Sequence, residues 1–235
     1  MYRLRILMLF VLFAIAIPSS AESGLRSFTA TYRLSIGVLK VGEMSREMRI
    51  GADHTYIFES VMRTSGITAL FRRDRVSEIS RGVIQNGRYT PLRYEYDNSR
   101  KKRRFALDFD YANGNVTSTD NGESRKVRIS SMLLDKLVYQ AQLMRDLASS
   151  SQPLHYEVAD IDETKTYLIK TVGIENIATP HGRYKTVRLE RSNENAKRRT
   201  TVWCAERLDW LPVRVDYRDK DGTTTTAVLH TLNLE

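Results

Sequence analysis

The sequence has very little cysteine and histidine. Cys204 is the only cysteine, so no disulfide can form within the chain. It lies in the strand-like stretch TTVWCAE, and a free cysteine in such a setting is usually buried and unreactive. The four histidines, His54, His155, His181 and His230, lie in separate segments without paired-ligand spacing. A structural zinc site therefore has too few ligands, and we predict no metal and no cofactor.

Catalytic motifs are also missing. The chain has no G-x-S-x-G elbow, no glycine-rich phosphate loop and no dinucleotide fingerprint. The stretch ADIDET places Asp160, Asp162 and Glu163 together, but it lacks the glycine and the bidentate glutamate of a calcium loop. We interpret these three as solvated turn carboxylates. No catalytic residue is predicted, although a triad assembled from distant residues stays open because triads are geometric rather than sequential.

No apolar run is long enough to cross a membrane. The longest, Ile6 to Ile17, would make a helix of roughly 18 Å against a hydrocarbon core of about 30 Å. Arg3 and Arg5 precede it and Pro18-Ser19-Ser20-Ala21 follows, which is the pattern of a secretory signal peptide. We predict a signal peptide over 1–21, cleaved after Ala21, and one periplasmic domain over 22–235. A retained anchor is the alternative.

Positive charge is in excess. The chain has 37 Lys and Arg against 28 Asp and Glu, a formal charge of +9, which favours acidic ligands or surfaces. An exported protein does not meet chromosomal DNA or cytosolic RNA, so we predict no nucleic-acid partner.

Two basic clusters stand where strands are expected to begin. The first is Arg100, Lys101, Lys102, Arg103 and Arg104, and the second is Lys197, Arg198 and Arg199. Such runs commonly keep an exposed strand edge from pairing with a neighbour. If both clusters lie at the same end of the sheet, they would instead form a site for anions or lipid headgroups. Both interpretations remain open.

Period-two patterning dominates the rest. Phe28, Ala30, Tyr32, Leu34 and Ile36 alternate with polar residues, as in a half-buried strand. Tight-turn pairs recur at Asn86-Gly87, Asn113-Gly114, Asn121-Gly122 and Asp221-Gly222, and such pairs are typical of hairpins. We predict a mainly β protein: a strongly curved antiparallel sheet or open barrel, built as a meander.

One segment, 130–150, has helical rather than alternating spacing. Six of its apolar residues share one face: Leu134, Leu137, Val138, Ala141, Met144 and Ala148. Asp135, Tyr139, Gln142 and Asp146 are expected on a solvated opposite face, and Ser130 or Ser131 could cap the start. This pattern predicts one amphipathic helix that packs against, or plugs, the curved sheet.

Several stretches resemble a bacterial exported family called domain of unknown function 3108. They are FTATYRLSIGVLKVGEMSREMRI, LLDKLVYQAQLMR, TPHGRYKTVRLER and RRTTVWCAERLDWLPVRVDY, in that order. The resemblance implies an exported, largely β protein without an agreed activity, and it supplies no catalytic residues. By fold analogy alone, it also suggests a curved sheet wrapped around a helix, as in lipoprotein carriers.

Three functions follow as hypotheses. The first is a non-enzymatic carrier for an amphipathic acidic ligand, such as a lipid or acyl chain, which an apolar cavity of at least ~300 Å³ would favour. The second is an envelope adaptor that binds another protein through a strand edge or the basic hairpin. The third is a hydrolase with a dispersed site. Contact with a membrane surface is compatible with the first two.

Overall fold

The computed structural model describes residues 26–65, 74–129, 133–192 and 198–235, which form one antiparallel sheet and one α-helix. This confirms the predicted mainly β meander. In chain order the first eight strands are β1 (Phe28–Ile36), β2 (Leu39–Ile50), β3 (Thr55–Thr64), β4 (Arg75–Gln85), β5 (Arg88–Asn98), β6 (Arg103–Asp110), β7 (Asn115–Asp120) and β8 (Glu123–Arg128). After the helix α1 (Val138–Ala148) come β9 (His155–Ala159), β10 (Thr164–Thr179), β11 (Gly182–Ser192), β12 (Arg199–Ala205), a 3₁₀ turn (Glu206–Leu208), β13 (Leu211–Arg218) and β14 (Thr224–Leu234).

The first and last strands pair with each other in the middle of the sheet. The spatial order is β8-β7-β6-β5-β4-β3-β2-β1-β14-β13-β12-β11-β10-β9, so each half of the chain is a meander running outward from the β1–β14 pair. β8 and β9 are the two edges. Arg125 of β8 lies 3.7 Å from Asp162 in the β9–β10 turn, which indicates that the sheet curls until its edges approach. Within the described residues β8 and β9 do not pair, so the barrel is open along this seam.

Two of the tight turns have the backbone that their sequence predicts. Asn86 and Gly87 both have positive φ, at 48° and 74°. Asn121 and Gly122 repeat this at 49° and 94°. Two successive positive φ angles match the twist of the flanking strands in a two-residue hairpin, and this keeps consecutive strands antiparallel neighbours.

The concave side of the sheet carries the core. Phe28, Ala30 and Tyr32 of β1 are buried as the alternation predicts, whereas Ile36 at the end of the strand is 42% exposed. The same alternation buries Met44 and Met48 of β2 and Tyr56 and Phe58 of β3. Burial of apolar area on this scale is the main favourable contribution to folding.

Helix α1 lies between distant parts of the sheet. The side-chain oxygen of Gln142 accepts a hydrogen bond from the backbone N–H of Tyr89 in β5, at 3.0 Å. On another side, the Tyr156 hydroxyl of β9 donates to Asp146, and the Tyr139 ring packs edge-on against Tyr167 of β10. The helix therefore lies within the concave side of the sheet.

This placement corrects the predicted solvated face of the helix. Tyr139 and Gln142 are buried, and Asp135 is fully buried just before the helix. The spacing of apolar residues could not predict that these polar side chains are buried. Strands lie on several sides of this helix, so its polar residues are buried and need hydrogen-bond partners within the protein. The predicted cap residues Ser130 and Ser131 lie outside the described residues.

Asp135 caps the helix instead. One of its carboxylate oxygens accepts hydrogen bonds from the backbone N–H groups of Leu137 and Val138, both at 2.8 Å, and the other accepts from the Ser80 hydroxyl. Burial raises the pKa of Asp135 to about 6, although these hydrogen bonds oppose the shift. The cap links α1 to β4 and positions the neighbouring Lys136.

Within the described ranges, no helix is long and apolar enough to span a membrane. The predicted signal peptide, 1–21, lies outside those ranges, so its cleavage after Ala21 stays a prediction.

Candidate ligand-binding site

Arg46 is a charged residue on the apolar face of β2. It alternates with the buried Met44 and Met48 and pairs across the sheet with Ala30, whose small side chain leaves space beside it. Its guanidinium lies 5.8 Å from the centroid of the Tyr32 ring. Its Nε atom is buried without a hydrogen-bond partner, and no described carboxylate forms an ion pair with it. An unpaired buried N–H group is costly, so a ligand that accepted this hydrogen bond would relieve the cost.

Arg191 occupies an equivalent position on β11. Its guanidinium donates to the Tyr139 hydroxyl at 3.0 Å and to the Thr200 hydroxyl at 3.1 Å. It also stacks over the Tyr167 ring, 4.2 Å from the centroid. Tyrosine hydroxyls and rings orient a guanidinium without neutralising it, and within the described ranges no carboxylate pairs with Arg191. It therefore keeps a full positive charge inside the fold.

Both arginines line one pocket between α1 and the second half of the sheet. Its volume is about 280 Å³, just below the ~300 Å³ lower limit typical of ligand sites. The wall is formed by Arg46, Lys136, Tyr139, Gln140, Leu143, Tyr167, Ile169, Leu189, Arg191, Thr200, Val202, Pro212, Val215 and Tyr217. We call this space the arginine pocket.

Lys136 is the third cation of the arginine pocket, but it is neutralised. It forms an ion pair with Asp160, which Lys165 also contacts at 2.7 Å. The Asp160 side chain is only 10% exposed, which corrects its interpretation as a solvated turn carboxylate. These two lysines oppose the effect of burial and hold the pKa of Asp160 below its usual value. The net positive charge of the pocket therefore comes from Arg46 and Arg191.

The arginine pocket combines aliphatic side chains with two arginines, and this limits its chemistry. Guanidinium groups recognise carboxylates and phosphates through paired hydrogen bonds. Leu143, Ile169 and Leu189 supply an apolar wall, which suits an acyl or other hydrocarbon group. Among the residues that the structure describes, no group of three or more His, Cys, Asp or Glu residues could hold a metal ion. The arrangement is suited to binding an anionic amphiphile.

The described residues of the predicted basic clusters form several ion pairs. In the first cluster, Arg104 lies 2.9 Å from Asp97, Arg103 lies 3.4 Å from Asp120, and Arg100 lies 4.0 Å from Asp74. In the second, Arg198 lies 2.9 Å from Asp219 and Arg199 lies 3.8 Å from Glu190. Lys101 and Lys102 are exposed and have no ion pair with a described residue. Lys197 lies outside the described residues.

Strand order places both clusters at the same end of the sheet. In the chain of pairs from β6 to β12, consecutive strands run antiparallel, so the starts of β6 and β12 face the same way. Their strands are nevertheless eight positions apart in the sheet. The clusters thus share an end without forming one contiguous patch, and their role in anion binding stays a prediction.

Arg46 and Arg191 were not predicted as site residues from the sequence. The signal was present, because Arg46 interrupts the alternation Met44-x-Arg46-x-Met48 on β2, and Arg191 follows Val187 and Leu189 on the same face of β11. A cation on the inner face of a strand is rare unless it is paired. What the sequence could not show is that strands from opposite halves of the chain bring the two together.

Comparison with known proteins agrees with the resemblance noted in the sequence. The family model described as "Protein of unknown function (DUF3108)" matches residues 28–229. The chain belongs to this family. No curated protein matches it.

One solved structure shows the same kind of fold. A β-barrel-like protein of domain of unknown function DUF1849 from Brucella abortus superposes with a TM-score of 0.61 at 9% identity, over 90% of this chain and 99% of that one. At this identity the similarity shows the fold alone, and it supports the barrel-like description of this DUF3108 protein.

Two other matches superpose less well. A candidate lipoprotein from Parabacteroides distasonis gives a TM-score of 0.39 at 11% identity, over 90% of this chain and 98% of that chain. A candidate exported protein with a YmcC-like fold from Bacteroides fragilis gives 0.37 at 8% identity, over 89% and 97%.

Proposed function

We propose that this DUF3108 protein is a non-enzymatic periplasmic binding or carrier protein whose arginine pocket takes an amphipathic acidic ligand, a lipid or an acyl chain. The observation that carries the proposal is the pair of arginines, Arg46 and Arg191, on the inner wall of an otherwise largely apolar and aromatic pocket. The predicted signal peptide supports export. The excess of positive charge supports an acidic ligand.

The interior position of the charges is informative because it is costly. Burying a guanidinium that no carboxylate neutralises costs free energy. Strain and unpaired polar groups of this kind cluster at functional sites. A bound carboxylate or phosphate would supply the missing partner, and its hydrocarbon part would lie against Leu143, Ile169 and Leu189.

The pocket volume sets the size of what it can hold. At about 280 Å³, it takes one short chain or the headgroup end of a longer one, since drug-sized ligands occupy roughly 300–1,000 Å³. We therefore expect single-chain acids to bind better than intact two-chain phospholipids.

The experiment is native mass spectrometry of the mature chain, 22–235, purified from the periplasm, followed by organic extraction. We expect a reproducible acidic lipid or acyl species at near-stoichiometric amount. Val202→Phe, which fills the pocket from β12, should lose it, and Thr201→Phe on the other face of the same strand should retain it. An extract in which both variants carry the same lipid as the wild type would contradict the proposal.

An adaptor role is the second candidate, and the edge of β10 favours it. β10 pairs with β9 only over Thr164–Leu168, whereas it pairs with β11 as far as Thr179. Val172 and Ile174, on the part without a described outer partner, are 45% and 63% exposed. Exposed strand edges accept a further strand from a partner protein.

A photo-crosslinking residue at position 174, compared with one at the exposed Leu92, tests the adaptor candidate in cells. A single protein crosslinked only from position 174 would support it. Equal products from both positions, or none, would count against it.

A further inference from the structure

The tip of the β1–β2 hairpin is the most exposed apolar feature of the described structure. Val38 is fully exposed, and its neighbours Ile36 and Leu39 are 42% and 53% exposed. The other large apolar side chains exposed in the described ranges lie singly or in pairs along strands rather than in a turn. Gly37, with φ at 57° and no atom near the position of a Cβ, lets the chain reverse in open space. Nothing in the described fold covers this tip.

Exposed cations lie at the same end of the sheet. Lys40 directly follows the tip and forms an ion pair with Glu43 at 2.6 Å. Lys101 and Lys102 occupy the β5–β6 turn at that end, exposed and without an ion pair to a described residue. Acidic residues also lie at this end: Asp74 forms an ion pair with Arg100 and Asp219 with Arg198, and Glu123 and Asp162 lie beside the seam between β8 and β9. The apolar tip thus shares this end of the sheet with Lys101 and Lys102, two exposed cations that no described acid neutralises.

One wall residue of the arginine pocket lies near this tip. Ile36 pairs with Thr225, and Thr225 pairs with Tyr217, a residue of the pocket wall. Two strand spacings of about 4.8 Å place Tyr217 roughly 10 Å from the tip strand. A surface that met the tip would thus lie close to this wall residue.

We propose that this end docks on an anionic lipid bilayer, with Val38 and Leu39 entering the interface and the lysines meeting the headgroups. Three apolar side chains in one turn are too few for a stable protein interface, which buries about 800 Å² on each partner. They suit shallow insertion at a bilayer surface, where apolar contact and charge attraction add. The proposal deepens the carrier function by naming where the ligand enters and leaves, and it stands or falls separately from pocket occupancy.

The chain allows a site-specific test because Cys204 is its only cysteine and is fully buried. In the mature protein carrying Val38→Cys, an environment-sensitive fluorophore would label only position 38. Ile174→Cys is the matched exposed control on β10. The probes are vesicles of phosphatidylglycerol with phosphatidylethanolamine, and vesicles of phosphatidylcholine. We expect a blue shift and a several-fold rise in emission at position 38 on the anionic vesicles only. No change at position 38, or an equal change at position 174, would overturn the proposal.

Unlabelled variants give the affinity. Val38→Ser combined with Leu39→Ser should weaken co-sedimentation with anionic vesicles about tenfold, and Lys101→Gln combined with Lys102→Gln should weaken it and flatten its salt dependence. Ile174→Ser should bind as the wild type does. Wild-type binding by the Val38/Leu39 variant would contradict insertion of the tip.

The pocket-filled Val202→Phe protein separates this proposal from the carrier function. We expect it to sediment with anionic vesicles as the wild type does while carrying no lipid in native mass spectrometry. A protein that holds an acyl ligand but ignores both kinds of vesicle would overturn docking alone. A protein that docks but never carries a ligand would overturn the carrier function alone.

Discussion

The guanidinium of Arg191 lies 4.2 Å from the centroid of the Tyr167 ring and donates a hydrogen bond to Tyr139, yet within the described residues no acid neutralises it. By contrast, Arg188, on the other face of the same strand, lies 2.6 Å from Glu175 and 3.2 Å from Glu190. The sheet thus supplies carboxylates to the outer arginine but only neutral partners to the inner one. This contrast is the physical basis of the proposed anion site.

The cost of the inner charges gives the first prediction. Arg46→Met should raise the free energy of unfolding by about 0.5–2 kcal/mol, because it replaces a partly buried, unpaired cation with an apolar chain of similar length. Urea denaturation measures this change in the free energy of unfolding, and we expect the m-value to stay the same. The same variant should bind acyl anions less tightly. If the variant proved less stable than the wild type, Arg46 would be a structural residue.

The buried cap of α1 gives a pH-dependent prediction. The pKa of Asp135 is about 6 in the folded protein against 3.8 for an ordinary Asp, so the native state holds this proton more tightly than the unfolded chain does. The stabilising effect is complete below about pH 4 and is lost as pH rises through 6, amounting to ~3 kcal/mol.

Asp135→Asn isolates that contribution, because an amide oxygen can still accept the hydrogen bonds from Leu137 and Val138. We expect the stability difference between the variant and the wild type to move in favour of the variant as pH rises from 4 to 7. Thermal melts at closely spaced pH values measure it. Parallel curves for the two proteins would show that Asp135 does not titrate in this range.

A close approach between β4 and β5 gives a packing prediction. A Cβ at Gly82 would collide with the Thr90 carbonyl oxygen and lie 2.8 Å from both the Cα of Pro91 and the Tyr56 ring. Gly82→Ala should therefore destabilise the protein by about 1–3 kcal/mol or more. Gly173→Ala, where no atom lies within 4 Å, should change stability little. Similar losses in both variants would mean that the clash is not the cause.

The lone thiol gives a simple check of the core. Cys204 is fully buried and burial raises its pKa to about 12, so both access and thiolate are lacking. We expect no reaction with a disulfide reagent in buffer and one equivalent in denaturant. Rapid reaction of the native protein would contradict the described packing of β12.

The fold was predictable because its determinants are local. Asn-Gly turns, period-two alternation and one helical stretch each depend on a few neighbouring residues, and together they specify a meander around a helix. The helix faces were predicted less well. The helical spacing predicted that Tyr139 and Gln142 face solvent, but strands lie on several sides of α1 and bury both side chains.

The candidate site was harder to predict because it depends on distant residues. Arg46 and Arg191 are 145 positions apart in the chain, and only the curvature of the sheet brings both to one pocket. The basic run Arg100 to Arg104 was conspicuous in sequence. Much of its charge is balanced by Asp97, Asp120 and Asp74, however. The sequence alone does not show which acids lie next to which arginines.

The most direct test is a binding titration that varies only the charge of the ligand. Dodecanoate and dodecanol share a hydrocarbon chain, and the proposed site predicts that the wild type prefers the carboxylate. A hydrogen bond to a charged group contributes roughly 1.5–3 kcal/mol, so Arg46→Gln combined with Arg191→Gln should reduce that preference by about tenfold or more. Arg188→Gln, on the outer face, should leave it unchanged. Equal affinity of the wild type for the acid and the alcohol, or an undiminished preference in the double variant, would contradict the anion site.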